Sequence, residues 1–382
     1  MECKFLNHGL AIAYQETVRP CCDWQFDNNY KSANQLNQVN LVTWHQNNHI
    51  QEAKNLLQQN IWPKNCGRCE KQESQGRTDS MRLNAANSYA DYNSDDITLE
   101  IRPGSVCNFA CQTCWPAASS RVYEYYNKAN IKLEKQELLT SVDIDKKFNF
   151  SNFEFLQPIA HRIKSVVLLG GEPFYDKNCL AFLDWWHNNT NADLFVFTNG
   201  SAVKFDFLAA VKNRLTLVFS LDATGRNAEY IRFGTDWDQV YANYLKASEY
   251  HNVELRVNIT QSVYNYIYLD RLLELFVDRW PSVVTFGVPA ESYLTESVIP
   301  VRYRQEIVNR LELVVEKLNA SAIEHGQKHN AMNAIKSTVS NLKQIEFNET
   351  NWNKFRDFVI KMDTVKGIDI RDYCPEVAQY IY

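Results

Sequence analysis

The sequence predicts an α/β protein built on a partial (β/α)6 TIM-like barrel, with a small N-terminal cysteine-rich module and a C-terminal helical extension. Short apolar runs alternate with helical segments between residues 97 and 290. Eight of the ten cysteines precede residue 115. After Pro300 only helical periodicity remains. These three observations divide the chain into residues 1–82, 97–290 and 301–382.

The central segment contains six apolar runs that we interpret as strands. They are residues 97–101, 165–169, 194–198, 215–221, 253–259 and 283–288. Helical segments separate them, and strand–helix alternation is typical of parallel strands joined by right-handed crossovers. Six units fit a partial barrel better than the eight of a closed one.

The segments on either side are simpler. Ile50, Ala53, Leu56 and Leu57 recur at helical spacing within residues 1–82. The polar residues 82–96 predict a linker or surface loop. In residues 301–382, apolar residues at a helical period predict amphipathic helices.

Composition sets limits on function. The 382 residues carry a formal net charge of -5 and 45% hydrophobic residues, which indicates a folded core and argues against a nucleic-acid binder. The first fifteen residues contain one lysine and no long apolar run, so no signal peptide is predicted. The apolar runs are too short to span a bilayer. We therefore expect a cytoplasmic protein without a membrane partner.

Three cysteines follow the first predicted strand of the barrel: Cys107, Cys111 and Cys114. Spacings of three and two residues let one loop hold three thiolates around an iron–sulfur cluster. With no fourth cysteine in the loop, one iron remains open to another ligand. The alternative is a structural zinc ion completed by a ligand from elsewhere in the chain.

This loop resembles the CxxxCxxC signature of the radical S-adenosylmethionine (radical SAM) superfamily. Further motifs similar to those of the family follow in order. They are Gly170-Gly171-Glu172-Pro173, Thr198-Asn199-Gly200, Ser220-Leu221-Asp222 and Tyr230-Ile231-Arg232. The resemblance covers residues 97 to 288.

The resemblance implies a role for each motif. The three cysteines hold a 4Fe–4S cluster that binds S-adenosylmethionine. Gly170 and Gly171 offer carbonyls to the ammonium group of that ligand, and Ser220 and Arg232 bind its carboxylate. Asn199 and Asp222 are candidates for the ribose region. The remaining motif residues implied to line the cofactor site are Glu172, Pro173, Thr198 and Thr113, the last standing where the family commonly has an aromatic residue.

The N-terminal cysteines form a second candidate metal site. Cys66 and Cys69 make a CxxC pair, and Cys3, Cys21 and Cys22 precede it. Their spacing suits a four-thiolate zinc ion and an iron–sulfur cluster equally well. The segment resembles the auxiliary-cluster modules called SPASM or twitch domains, which usually follow the barrel. That resemblance implies one auxiliary cluster bound by Cys3, Cys21, Cys66 and Cys69, with Cys22 as the alternative to Cys21.

The function implied by the resemblance is reductive cleavage of S-adenosylmethionine to a 5′-deoxyadenosyl radical, which abstracts hydrogen from a substrate. Auxiliary modules are common in peptide-modifying members, so the implied substrate is a peptide or protein, undergoing oxidation, cross-linking or epimerisation. The implied electron donor is a flavodoxin or ferredoxin. The alternatives are modification of a small molecule or nucleotide and a non-catalytic metal-cluster scaffold.

Overall fold

The structure is a computed structural model, and it describes residues 1–12, 16–25, 28–74, 80–132, 152–276, 281–289 and 291–382. The chain forms two compact units. The first comprises Met1–Gly104, Glu137–Val196 and Val211–Arg214. The second comprises Ser105–Gln136, Phe197–Ala210 and Leu215–Tyr382.

The first unit contains a mostly parallel arrangement of strands. The strands are β1 (Gly9–Ile12), β2 (Val18–Arg19), β3 (Ile97–Ile101), β4 (Ile163–Leu168) and β5 (Asp193–Thr198), whose last two residues belong to the second unit. Their order is β2-β1-β3-β4-β5. Only β1 and β2 pair antiparallel, whereas β1–β3, β3–β4 and β4–β5 are parallel. Buried aliphatic side chains on these strands, such as Leu99 and Val166, form the core of the unit.

Helices of the first unit connect and cover these strands. They are α1 (Phe5–His8), α2 (Asn28–Ala33), α3 (Asn48–Gln58), α4 (Gly67–Ser74), α5 (Met81–Ser88) and α7 (Lys177–Asn189), with 3₁₀ segments at Trp44–Gln46, Lys64–Cys66 and Glu154–Arg162. Helix α3 begins where the Asn47 side chain accepts a hydrogen bond from the His49 N–H. Asp176 caps α7 in the same way through the Asn178 N–H.

The second unit has three parallel strands followed by a helical C-terminal region. The strands are β6 (Leu215–Ser220), β7 (Val253–Thr260) and β8 (Val283–Gly287), paired in the order β6-β7-β8. Because β6 is buried over most of its length, it reads as a continuous apolar run, as expected for a parallel strand covered on both faces.

The helices of the second unit are α6 (Ser120–Lys128), α8 (Phe205–Ala210), α9 (Gly225–Ile231), α10 (Trp237–Ala247), α11 (Leu269–Glu274), α12 (Val301–Ala320), α13 (His325–Gln344), α14 (Glu349–Lys366), α15 (Ile370–Tyr373) and α16 (Pro375–Ala378), with 3₁₀ turns at Pro116–Ala118, Tyr266–Tyr268, Ser292–Leu294 and Glu296–Val298. Helix α12 packs on α13. Helix α14 buries Phe355, Phe358 and Met362 and ends at Gly367, which adopts a left-handed conformation.

The predicted α/β class is confirmed, since helices alternate with mostly parallel strands. Two elements differ from the sequence-based expectation. The segment 82–96 was expected to be a loop, yet Met81–Ser88 is helical. Strands β1 and β2 were not predicted, and β1 pairs in parallel with β3. The boundaries 1–82, 97–290 and 301–382 remain predictions.

Candidate metal and cofactor sites

The glycine segment, Gly170-Gly171-Glu172-Pro173, follows β4 in the first unit. A Cβ atom on Gly170 would lie 2.9 Å from the Cys179 Sγ and 3.2 Å from the Gly104 carbonyl oxygen. The first distance is shorter than any ordinary carbon–sulfur contact. The packing around position 170 is therefore by itself a sufficient reason for glycine there.

Glu172 forms the turn that leads into α7. Its side chain is fully buried, and its Oε1 accepts a hydrogen bond from the Phe174 N–H at 3.2 Å. Its backbone oxygen accepts from the N–H groups of Tyr175 at 3.0 Å and Asp176 at 2.8 Å. Pro173 lies within this turn. These bonds give Glu172 a structural role in shaping the end of the glycine segment.

Four N-terminal cysteines line one cavity in the first unit: Cys3, Cys21, Cys66 and Cys69. Cys66 ends a 3₁₀ turn, and Cys69 lies in the first turn of α4. Two hydrogen bonds between Gln25 and Asn65 join the Cys21 loop to this turn, at 2.9 Å and 2.5 Å. The cavity brings together the set of thiols that the resemblance implied.

Cys22 differs from Cys21 in its surroundings. It is absent from the lining of the cavity, and its charged neighbours are Glu100, Asp23, Arg19 and Arg102. Cys21 instead interacts electrostatically with the thiols of Cys22, Cys3 and Cys66. The placement favours Cys21 as the fourth thiol of the cavity.

Burial controls the protonation of the cavity thiols. It raises the pKa of Cys3 to about 11 and that of Cys66 to about 12, and neighbouring thiols add to the effect at Cys66. Burial also raises the pKa of Cys21 and Cys69. These groups are therefore neutral at pH 7 until a metal ion replaces their protons.

Arg82 supplies a positive charge at the wall of the same cavity. It forms an ion pair with Glu73 and donates to the Glu2 carbonyl oxygen at 2.9 Å. Its charge lowers the pKa of Cys3 and Cys66 against the larger effect of burial. The contact with Glu2 also fixes the backbone next to Cys3.

In the second unit, two backbone hydrogen bonds anchor the three-cysteine loop to the C-terminal end of α9 and the segment after it. The Ala110 N–H donates to the Phe233 carbonyl at 2.8 Å, and the Gln112 N–H donates to the Ile231 carbonyl at 2.7 Å. Arg121 also donates to the Asn108 carbonyl at 2.9 Å. The loop is thus held from several sides.

The three thiols of the loop lie in a buried environment. Cys107 and Cys111 are buried, and the Cys107 Sγ accepts a hydrogen bond from the Phe109 N–H at 3.4 Å. Burial raises the pKa of Cys111 and Cys114, while the positive charge of Arg232 opposes the rise at both. Thr113, between them in sequence, is also buried.

A cavity of the second unit brings together four of the predicted cofactor-binding residues: Asn199, Ser220, Asp222 and Arg232. The Arg232 Nη1 donates to the Asp222 Oδ2 at 2.8 Å, and the Thr260 N–H donates to the other carboxylate oxygen at 2.7 Å. The Arg232 Nε is buried and, among the described residues, has no partner. An acceptor entering the cavity can satisfy this donor.

Asn199 connects this cavity to the cysteine loop. Its Nδ2 donates to the Asn108 Oδ1 at 2.9 Å and lies 3.9 Å from the Cys107 Sγ. Its Oδ1 accepts from the Ser201 N–H at 3.0 Å. Thr198 has a local role, since its Oγ1 accepts from the Gly200 N–H at 3.0 Å.

Sequence reasoning missed Lys366, the last residue of α14. Its ammonium group donates to the Ala110 carbonyl at 2.8 Å and to the Gln112 Oε1 at 3.0 Å. Burial lowers its pKa to about 7, although Cys111 and Asp363 oppose the shift. The sequence feature that could have indicated a buried lysine is its position on the apolar face of α14, four residues after Met362.

The donor sets of both sites suit iron–sulfur clusters or zinc, which bind thiolates. Within the described ranges, no three His, Cys, Asp or Glu side chains are already grouped so as to hold a metal ion. The buried thiols and the unpartnered Arg232 Nε are compatible with a cluster and an anionic ligand in the second unit.

No protein-family profile matches the sequence, and no curated protein matches it. Several solved structures resemble the chain. They include anSMEcpe with bound AdoMet and Kp18Cys peptide (16% identity, 58% of this chain and 61% of that chain, TM-score 0.40), Streptococcus suis SuiB bound to S-adenosylmethionine (16%, 63% and 50%, 0.35), and TYW1 with a lysine-pyruvate adduct (16%, 70% and 89%, 0.38).

The chain spans about three fifths of the length of anSMEcpe and half that of SuiB. At these identities and TM-scores, the similarity assigns no residue role and no activity to this chain.

A separate observation concerns membranes. In the part of the chain that the structure describes, no helix combines the length and the apolar character needed to cross a bilayer.

Proposed function

We propose that the chain is a radical SAM enzyme whose 4Fe–4S cluster is bound by Cys107, Cys111 and Cys114. The observation that carries the proposal is the composition of the second unit. A buried loop with three thiols is joined through Asn199 to a cavity that also contains Ser220, Asp222 and Arg232. Each of these residues belongs to a motif that resembles the superfamily.

Within this proposal, Arg232 and Ser220 bind the carboxylate of S-adenosylmethionine. The buried Nε of Arg232 is a donor that a carboxylate can satisfy. Asp222 keeps the guanidinium oriented, because it is fully buried and held by the Thr260 N–H. Asn199 contacts the ribose region, at the boundary between the cavity and the loop.

The remaining cofactor contacts are proposed from the motifs. Gly170 and Gly171 offer carbonyls to the ammonium group, and Glu172 and Pro173 maintain the turn that presents them. Thr113 and Thr198 complete the lining. Cys107, Cys111 and Cys114 would hold the cluster, which would supply the one electron for reductive cleavage of S-adenosylmethionine to methionine and a 5′-deoxyadenosyl radical able to take a hydrogen atom from the substrate.

We also propose a second iron–sulfur cluster bound by Cys3, Cys21, Cys66 and Cys69, with zinc as the alternative metal. The four thiols line one cavity, and Arg82 offsets part of the negative charge that four thiolates carry. Such a centre can accept an electron from a substrate radical or ligate the substrate directly.

A peptide or protein is the proposed substrate, and a flavodoxin or ferredoxin is the proposed reductant. This proposal rests on the resemblance of the four-cysteine segment to auxiliary-cluster modules. Incubation of the reconstituted, reduced protein with a peptide library, followed by mass spectrometry, tests the substrate class. Peptide products two mass units lighter support oxidation or cross-linking, and peptides carrying solvent deuterium support epimerisation. Cofactor turnover with unchanged peptides contradicts a peptide substrate and favours a small molecule or nucleotide.

The cluster assignment is tested by electron paramagnetic resonance of the anaerobically reconstituted and reduced protein. We expect a reduced 4Fe–4S signal that changes on addition of S-adenosylmethionine, because the ligand takes the open iron. Cys111→Ala should lose that response. Cys179→Ala is the matched control, since this cysteine is equally buried but lies outside both thiol groups. A cluster signal insensitive to the ligand in the wild type contradicts the assignment.

A further inference from the structure

Lys366 is a buried lysine at the C-terminal end of α14, and only 9% of it is exposed. Its two hydrogen bonds go to the Ala110 carbonyl and the Gln112 Oε1, so they reach the residues on both sides of Cys111. A buried ammonium normally has a carboxylate partner. Among the described residues, Lys366 forms no ion pair, and its acceptors are neutral groups of the cysteine loop.

Two aromatic rings near Lys366 favour its charged form and oppose the effect of burial. The rings of Phe233 and Tyr125 lie 5.1 Å and 5.7 Å from its Nζ, within the range of cation–π attraction. The other charged groups nearby are Asp363, on the same helix, and Arg121 of α6. The end of a helix also favours a positive charge.

Gln112 gives an independent observation at the same place. Gln112 lies between Cys111 and Cys114 in sequence, and its side chain is fully buried. Its Nε2 has no hydrogen-bond partner among the described residues. The amide orientation is fixed because its oxygen must face the Lys366 ammonium, which can only donate. A buried donor is therefore left unsatisfied in the three-cysteine loop, and an acceptor such as a cluster sulfur would satisfy it.

We propose that Lys366 is a positioning residue for the three-cysteine loop: it fixes the backbone around Cys111 and places one positive charge beside the thiolates when they bind the cluster. This inference rests on the proposed function and extends it, because it makes the last turn of α14 part of the metal site. Lys366 does not contact the reacting atoms and is not a catalytic residue.

The first test uses the full chain without metal and therefore does not depend on cluster binding. Lys366→Met removes the ammonium but keeps the length of the side chain, and Lys366→Arg keeps the charge. Lys361→Met is the matched control, since Lys361 lies on the same helix and is exposed. The rate of alkylation of each thiol is measured by peptide mass spectrometry, with the buried Cys179 as internal reference.

We expect Cys111 and Cys114 of the Lys366→Met variant to be alkylated about tenfold faster than in the wild type. This corresponds to a free energy of local opening that is lower by ~1.4 kcal/mol. The rate at Cys179 should stay unchanged, because Cys179 lies in the first unit and Lys366 anchors the loop of the second. Unchanged rates at Cys111 and Cys114 overturn the inference. A parallel rise at Cys179, which lies in the first unit, also overturns it, because the effect of the variant is then not confined to the three-cysteine loop.

The second test measures the midpoint potential of the reconstituted cluster. Lys366→Met should shift it to a more negative value, since the positive charge that favours the reduced cluster is lost, and Lys366→Arg should restore it. Lys361→Met should leave it in place. Equal potentials in all variants overturn the electrostatic part of the inference. Absence of a cluster in the wild type contradicts the proposed function instead, and the alkylation rates then decide the role of Lys366 alone.

Discussion

At the scale of single residues, close packing around the glycine segment limits what position 170 accepts. Gly170→Ala places a Cβ 2.9 Å from the Cys179 Sγ and should lower the free energy of unfolding by roughly 1–3 kcal/mol, the usual cost of overpacking. Removing the sulfur in Gly170→Ala/Cys179→Ala should recover part of this loss. Urea unfolding measures both effects.

Gly326→Ala is the matched control for this prediction. A Cβ at that position meets no atom within 4 Å, and the residue lies in α13, where alanine is the better helix former. This variant should be neutral or slightly more stable. Equal stability of Gly170→Ala and the wild type would show that the glycine segment has more room than the structure gives it.

Recognition of the ligand depends on Arg232 in our account. Arg232→Met should weaken binding of S-adenosylmethionine to the reconstituted protein by roughly 10- to 100-fold, because a charge-assisted hydrogen bond contributes about 1.5–3 kcal/mol. Equilibrium dialysis measures the affinity. Arg232→Lys keeps a cation beside Asp222, so the fold is retained, and it should recover only part of the affinity.

Arg256→Met serves as the control for the loss of one arginine. Arg256 pairs with Glu254 on β7 and is not part of the cavity lining. Its replacement should leave the affinity unchanged. Binding by Arg232→Met that equals binding by the wild type would remove Arg232 from the ligand site.

Single residues also show how far the sequence could predict the candidate sites. The spacing of Cys107, Cys111 and Cys114 indicated a metal loop directly, because its members are close in sequence. Lys366 could not be identified in that way, since it lies more than 250 residues from its acceptors along the chain. The difference between Cys21 and Cys22 likewise depends on which side chain faces the cavity.

At the scale of elements, α14 contains a buried carboxylate whose protonation affects stability. The Asp363 Oδ1 accepts from the Tyr230 hydroxyl at 2.8 Å, and its Oδ2 accepts from the Ile370 N–H at 2.8 Å. Burial raises the pKa of Asp363 to about 6, against the opposing effect of these donors. The carboxyl group thus joins α14 to α9 and α15.

The sign of the resulting pH dependence follows from the direction of this shift. Between about pH 4 and pH 6 the folded protein holds a proton on Asp363 that the unfolded chain releases, so stability falls as the pH rises through this range. Asp363→Asn cannot titrate and should abolish roughly 3 kcal/mol of that fall. Urea unfolding at a series of pH values measures the difference between the two proteins.

Asp357→Asn is the control on the same helix, because Asp357 is exposed and pairs with Lys361. Its unfolding should follow the pH dependence of the wild type. Identical slopes for Asp363→Asn and the wild type between pH 4 and pH 6 would contradict the raised pKa of Asp363.

The helices and strands were predicted correctly where the burial of side chains produces a clear pattern in the sequence. Strands β3 and β6 were expected at 97–101 and 215–221, close to the observed bounds. Helix α5 was missed because its asparagine and serine residues favour turns in isolation. Strand β1 was missed because four residues without alternation give no periodicity, and its pairing with β3 spans a long stretch of chain.

At the scale of the whole molecule, we expect two separate metal centres, one in each compact unit. The reconstituted wild type should contain about eight irons per chain if both are 4Fe–4S clusters. Cys21→Ser should reduce this to about four, whereas Cys22→Ser should leave it unchanged, because only Cys21 lines the four-thiol cavity. Iron and acid-labile sulfide analysis provides the measurement.

The pattern of loss distinguishes the alternatives for the first unit. About four irons plus one zinc in the wild type would mean that the N-terminal thiols bind zinc. Loss of iron in Cys22→Ser but not in Cys21→Ser would reverse the assignment of the fourth ligand. The order of motifs along the chain indicated two centres, but sequence alone left their metals and the fourth thiol open.

The proposed activity is tested directly by measuring the formation of 5′-deoxyadenosine by the reconstituted protein with dithionite and S-adenosylmethionine under anaerobic conditions. We expect the wild type and Cys21→Ser to form it and Cys111→Ala to form none. In the proposed function only the centre bound by Cys107, Cys111 and Cys114 cleaves S-adenosylmethionine, so a loss confined to the N-terminal site should not abolish the product. Iron-loaded wild type that forms no 5′-deoxyadenosine would contradict the claim that this chain is a radical SAM enzyme.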